Sequence, residues 1–283
     1  MKTKNNRSIS TFKMLNKELD KNEIKNIALQ ILKNVSFFCE KNNITYYLAC
    51  GTLLGSIKYN GFIPWDDDID IMMPRPDYDK FMSIYKNERY KLLKPDEGLF
   101  YYAKVYDTNT IKYENGIDYK KYRPIGVDID IFPLDGIVND EKIIKKLMKN
   151  SARLELLLRL AKQPIFYRKN PIKCINRIIP RIIGSKNIIK MIEKNAQTYL
   201  YENSDYVIRM RNTPNGFTGA LKKDIYNPPI KKTFEDEEYY VPREYDIWLK
   251  RFYGDNYLTE LPPEEKRVAH HKNKCYLKEN INA

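Results

Sequence analysis

Ile63-Pro64-Trp65-Asp66-Asp67-Asp68-Ile69-Asp70-Ile71-Met72-Met73 sets four carboxylates against a short alternating apolar run. Side chains along a strand alternate faces, so Asp68 and Asp70 share one face while Ile69 and Ile71 turn to the other, into a core. Two carboxylates ~4 Å apart repel by ~4 kcal/mol at an effective dielectric of about 20. Acids held this close therefore need a proton, a basic partner or a cation. An all-oxygen set suits a hard divalent ion. The competing reading is a solvated acidic turn, and the regular alternation after the run weighs against it.

A second stretch repeats the pattern: Gly126-Val127-Asp128-Ile129-Asp130-Ile131-Phe132-Pro133-Leu134-Asp135 again alternates acids with branched apolar residues. Neighbouring strands of this kind aim their acids at one point. Asp128 and Asp130 lie on the same face, so spacing does not choose between them. Ahead of both, Tyr46-Tyr47-Leu48-Ala49-Cys50-Gly51-Thr52 reads as an apolar strand followed by a small-residue turn, whose backbone N–H groups suit a phosphate. Ile24, Ile27, Ala28, Ile31, Leu32, Val35 and Phe38 recur at helical spacing and predict an amphipathic helix packed on the sheet. Asp77 is expected to cap a helix containing Phe81 and Ile84, and Tyr101 to Tyr106 alternates as a further strand.

The motifs resemble, as a set, the LicD family of phosphocholine transferases, a branch of the nucleotidyltransferase superfamily related to fukutin-type phosphoribitol transferases. The likeness rests on the Gly51-Thr52 turn, Gly61 to Asp70, Ile129 to Gly136, and the closing stretches Tyr245 to Leu249, Tyr253-Gly254-Asp255 and Leu261 to His271. It implies an α+β fold: a nucleotidyltransferase-like mixed sheet core with flanking helices at 20–136, then a mainly helical C-terminal part made of a basic helical region at 137–205 and a C-terminal region at 206–283 closing the active site. It also implies Asp68 and Asp70 as paired metal ligands for Mg2+ or Mn2+, with Asp130 in preference to Asp128 as the third acid. Gly51 and Thr52 would then contact phosphate. Lys58 and Lys104 become candidates for neutralising a diphosphate, and Arg267 and His270 for closing over a nucleotide. Asp66 and Asp67 are expected to stay solvated or to support the site.

The activity implied is transfer of phosphocholine from CDP-choline, or a similar CDP-alcohol, to a sugar hydroxyl of a cell-surface glycan such as lipopolysaccharide, teichoic acid or capsule, with CMP leaving. Phosphoethanolamine, ribitol or glycerol phosphate transfer would use the same chemistry, as would nucleotidyl transfer with pyrophosphate release. An inert scaffold of the same fold has no need of three motif acids. Trp65 and the 23 tyrosines offer faces for a quaternary ammonium, although tyrosines pack throughout folded cores.

Composition bounds the setting. No uncharged apolar run in the 283 residues approaches the ~20 needed to span a bilayer, and polar residues follow the basic N-terminal Lys2, Lys4 and Arg7 in place of a signal-peptide core. The expected location is cytoplasmic. Four scattered cysteines, Cys39, Cys50, Cys174 and Cys275, suit reduced thiols, and zinc at His270, His271 and Cys275 would lack a fourth ligand. Residues 141–200 hold fifteen Lys/Arg against three acids, nearly the whole net charge of +13. With its apolar clusters this segment reads equally as a solvated helical subdomain or as a peripheral contact, through residues such as Lys169, Lys173, Arg177 and Arg181, with an anionic inner membrane face. A lipid-linked acceptor would suit the second. Nucleic acid is not expected, since no RNA-binding motif accompanies the charge.

Overall fold

The computed structural model describes residues 17–164, 171–210, 220–260 and 273–278. Helix α1 (Lys21–Lys41) begins at a reciprocal cap: Asp20 accepts from the Glu23 N–H at 2.9 Å, and Glu23 accepts from the Asp20 N–H at 3.0 Å. Such a cap is worth ~1 kcal/mol. The apolar stripe that follows, Ala28, Ile31, Leu32, Val35 and Cys39, is buried against the sheet, as its period predicts.

Strand β1 (Tyr47–Leu48) leads directly into α2 (Cys50–Tyr59). Gly51 and Thr52, read from the sequence as a small-residue turn after the strand, therefore occupy the first turn of a helix. Strand β2 (Asp70–Pro74) runs into α3 (Arg75–Ile84), with Pro74 as N-cap. Asp77 is an acid of the first turn and not the cap, because Pro74 and Pro76 already fix the chain's entry into that turn. Then follow β3 (Tyr90–Leu93), β4 (Ala103–Asp107), β5 (Thr110–Tyr113) and β6 (Asp128–Ile137). The main sheet has the order β1-β2-β6-β4-β3 and is mixed: β2 and β6 are parallel, while β1/β2, β4/β6 and β3/β4 are antiparallel. Isoleucines 69, 71, 129 and 131 are fully buried, as the alternation requires.

Helices α4 (Glu141–Lys162), α5 (Pro171–Ile183) and α6 (Ser185–Ala196) carry the basic segment, α4 packing on both others. Strands β7 (Tyr206–Ile208) and β8 (Leu221–Lys222) extend the sheet from the far half of β6. A hairpin of β9 (Ile230–Phe234) and β10 (Glu237–Val241) is followed by α7 (Tyr245–Tyr253), and β11 (Lys274–Leu277) pairs with β5. The fold is α+β with a mixed sheet and flanking helices. No described helix is long and apolar enough to cross a membrane.

Two arginines of the basic segment face inward. Arg177 donates to the Pro164 carbonyl at 2.6 Å and to Gln163 at 2.8 Å, and Arg181 pairs with Asp118 at 2.6 Å. Arg177 ties α5 to the residues just after α4 and Arg181 ties it to Asp118, which corrects the expectation that they face a membrane. Lys169 and the Lys173 side chain lie outside the described residues.

Candidate active site

The parallel pairing of β2 with β6 sets Asp70 directly beside Asp130. Antiparallel pairing of β4 with β6 then sets Lys104 opposite Asp130 and Tyr106 opposite Asp128. All these groups meet at one end of the sheet because both acidic strands start there. Asp68 precedes β2 by two residues and joins them in a cavity of about 310 Å³, also lined by Asp67, Lys112 and Glu114.

Lys104 is buried, 4% exposed, with its ammonium 2.6 Å from Asp130, 3.0 Å from Asp128 and 3.9 Å from Glu114. Burial pushes this ammonium's pKa down, but Asp128 and Asp130 override it and hold the lysine charged. Lys112 lies 2.5 Å from Asp128 and 3.1 Å from Glu114. Burial raises the Glu114 carboxyl, yet Lys112 and Lys104 more than offset that and bring its pKa down to about 2. Spacing left Asp128 and Asp130 equivalent, but their surroundings differ. Asp128 sits between two ammonium groups, whereas Asp130 meets Lys104 on one side and the Asp70 strand position on the other.

Asp66 is drawn into the acidic group. Burial, then the charge of Asp68 and a hydrogen bond with it, push the Asp66 pKa up to about 8. Gly51 makes room for this carboxylate, since a Cβ there would stand 2.6 Å from Asp66 Oδ2. The Thr52 hydroxyl accepts from the buried Asp70 N–H at 2.8 Å and so fixes the first residue of β2. Both residues of the expected phosphate turn thus act here on the acids.

Lys58 is carried elsewhere, donating to the Thr259 carbonyl at 2.9 Å and lying 3.3 Å from Glu260. Trp65 stacks edge-on to Tyr59 at 6.4 Å, outside the cavity lining. Arg267, His270 and His271 lie outside the described residues, and Cys275 is a buried free thiol at the cavity wall. Lys112 and Glu114 were not anticipated. Their alternation in Thr110 to Glu114 is the only local signal, and it looks like any half-exposed strand.

Among the described residues no three Asp, Glu, His or Cys side chains close tightly enough on one point to hold an ion by themselves. The crowding of Asp66 on Asp68, and of Asp70 beside Asp130, still gives an oxygen-only set with charge to neutralise. Magnesium-type ions take one or two carboxylates and complete their shell from phosphate oxygens and water, which this set fits.

A model of the LicD/FKTN/FKRP nucleotidyltransferase domain matches residues 43–164. Over 272 residues, 92% of this chain and 99% of the other, the chain is 32% identical to the lipopolysaccharide cholinephosphotransferase LicD of Haemophilus influenzae. The chain belongs to the LicD family. A shorter stretch of 55 residues is 42% identical to an uncharacterised protein of Rickettsia typhi, covering 19% of this chain and 18% of that one. Another, of 42 residues, is 48% identical to an uncharacterised protein of Rickettsia prowazekii, covering 15% and 16%. The LicD domain match runs from before β1 to the end of α4 and takes in Asp68, Asp70, Lys104, Lys112, Glu114, Asp128 and Asp130. The catalytic class implied by the motifs, a phosphotransferase, is that of the Haemophilus relative.

Proposed function

We propose that this chain is a phosphotransferase that moves phosphocholine from CDP-choline to a sugar hydroxyl of lipopolysaccharide. The observation that carries this is the end-to-end likeness to a relative named lipopolysaccharide cholinephosphotransferase, with the motif acids gathered in one cavity. In the reaction the acceptor oxygen bonds to the phosphorus that bears choline, the bond from that phosphorus to the CMP oxygen breaks, and the hydroxyl proton passes to a carboxylate of the cavity. Catalysis of this kind is positioning plus charge stabilisation. Asp68, Asp70 and Asp130 would hold Mg2+ or Mn2+, which supplies neutralisation of the diphosphate oxygens. Thr52 keeps Asp70 in place, and Lys104 keeps Asp130 in place while balancing its charge.

The test is incubation with CDP-choline, magnesium and lipopolysaccharide, following CMP and choline on the glycan. CMP release should vanish in excess chelator and fall at least ~10²-fold in Asp68→Asn, Asp70→Asn and Asp130→Asn, with a smaller fall in Asp128→Asn. Pyrophosphate in place of CMP, or full turnover in chelator, would overturn the assignment.

We also infer that the protein rests on an anionic membrane face through α5. Ile178, Ile179 and Ile182 lie on one side of that helix and are 46%, 66% and 79% exposed. They stand within the segment that carries fifteen basic and three acidic residues. Exposed apolar side chains within a segment of net positive charge suit the boundary between anionic lipid headgroups and acyl chains.

A further inference from the structure

A second cavity, of about 290 Å³, adjoins the acidic one, and Tyr102 lines both. Its walls are Phe100, Tyr101 and Tyr102 from the approach to β4, facing Glu155, Arg159 and Lys162 from α4. The Lys162 ammonium lies 4.6 Å from the centre of the Phe100 ring, and the Lys104 ammonium lies 4.4 Å from the same centre. Among the described residues Lys162 has no carboxylate partner and no side-chain hydrogen bond. Burial lowers its pKa to about 8, with Glu114 pulling up and Lys104 down. An ammonium drawn out of water without an acceptor is costly, and an anion placed against it relieves that cost.

The lining also says what does not belong here. A quaternary ammonium seeks aromatic faces, but Phe100 already carries two ammonium groups, so a third cation would be repelled. A sugar ring fits better: its C–H faces lie against tyrosine and phenylalanine, and its hydroxyls meet Glu155 and Arg159.

We propose that this cavity is the acceptor subsite, taking a sugar that carries a phosphate or carboxylate, with Lys162 binding the anionic group. This rests on the transferase reading, because the shared Tyr102 wall would let an acceptor hydroxyl reach a donor held over the acids. Lys162 is then a binding residue for the acceptor.

The test is a titration of the full chain by calorimetry or NMR with glucose 6-phosphate, glucuronate and glucose, and separately with CDP. Both anionic sugars should bind at least ~10-fold more tightly than glucose, the scale of one charged hydrogen bond. Lys162→Met should erase that preference, Lys162→Arg should retain it, and CDP affinity should be the same in all three proteins. Failure of both anionic sugars to bind the wild type would overturn the proposal. So would an unchanged preference in Lys162→Met, or displacement of the sugar by CDP, which would make the cavity a nucleotide site. These measurements need no turnover. A lack of CMP release from CDP-choline would instead count against the transferase reading and would leave the sugar binding intact.

Discussion

Replacing Lys104 with Met removes the one cation among the described residues that touches both Asp128 and Asp130. At an effective dielectric of about 20, an ammonium 2.6 Å from Asp130 and 3.0 Å from Asp128 gains ~6 and ~5.5 kcal/mol of gross attraction. Desolvation of three buried charges cancels most of that gain, so the net loss is set by the acids left behind. Stripping one partner from a buried ion pair costs ~3–5 kcal/mol. The lower end applies here, because Lys112 still neutralises Asp128 and Glu114. We therefore expect ~3 kcal/mol lost in urea unfolding at pH 7, measured in chelator so that no ion takes the lysine's place. Asp130→Asn in the same background should restore part of it, with a coupling of at least ~1 kcal/mol in the double-mutant cycle. A loss under ~1 kcal/mol, or additivity of the two changes within ~0.5 kcal/mol, would refute the idea that Lys104 is the built-in counter-ion of this site.

Thr52→Val keeps the shape but leaves the Asp70 N–H without its acceptor, so it should cost ~1–3 kcal/mol and slow CMP release, while Thr52→Ser should do neither. Equal behaviour of Val and Ser would remove Thr52 from the positioning of Asp70. Glu114 has a folded pKa of about 2, below its ordinary 4.5, so its contribution to stability is present above pH 4.5 and lost as pH falls towards 2. Glu114→Gln should accordingly be less stable than wild type at pH 6, with the gap narrowing steadily as pH falls from 4.5 towards 2 in urea titrations, and a constant gap would contradict this. Wild-type protein should bind anionic vesicles and release as salt shortens the Debye length from ~10 Å at 0.1 M to ~3 Å at 1 M. Changing Ile178, Ile179 and Ile182 together to Ser should weaken that binding at least ~10-fold without touching Arg177 or Arg181, and no vesicle binding at low salt would return α5 to an ordinary solvated helix.

Local periodicity is what the sequence determined alone. The spacing of Ile31, Leu32 and Val35 and the cap at Asp20 are properties of consecutive residues, and α1 follows from them. The same holds for the burial of Ile69, Ile71, Ile129 and Ile131, since alternation is built into every strand. Which strand lies beside which is not local. Only the parallel register of β2 and β6 puts Asp70 beside Asp130, and only the register of β4 and the path of β5 bring Lys104, Lys112 and Glu114 to the same acids. A lysine in a strand looks alike whether it meets solvent or a buried carboxylate, which is why Lys58 and Lys104 were equal candidates and ended with different partners. Arg177 and Arg181 belong to the same lesson: their charge was visible in the sequence, but its direction depended on Gln163, Pro164 and Asp118 arriving from other parts of the chain. Composition counts charges, whereas packing decides which of them leave water.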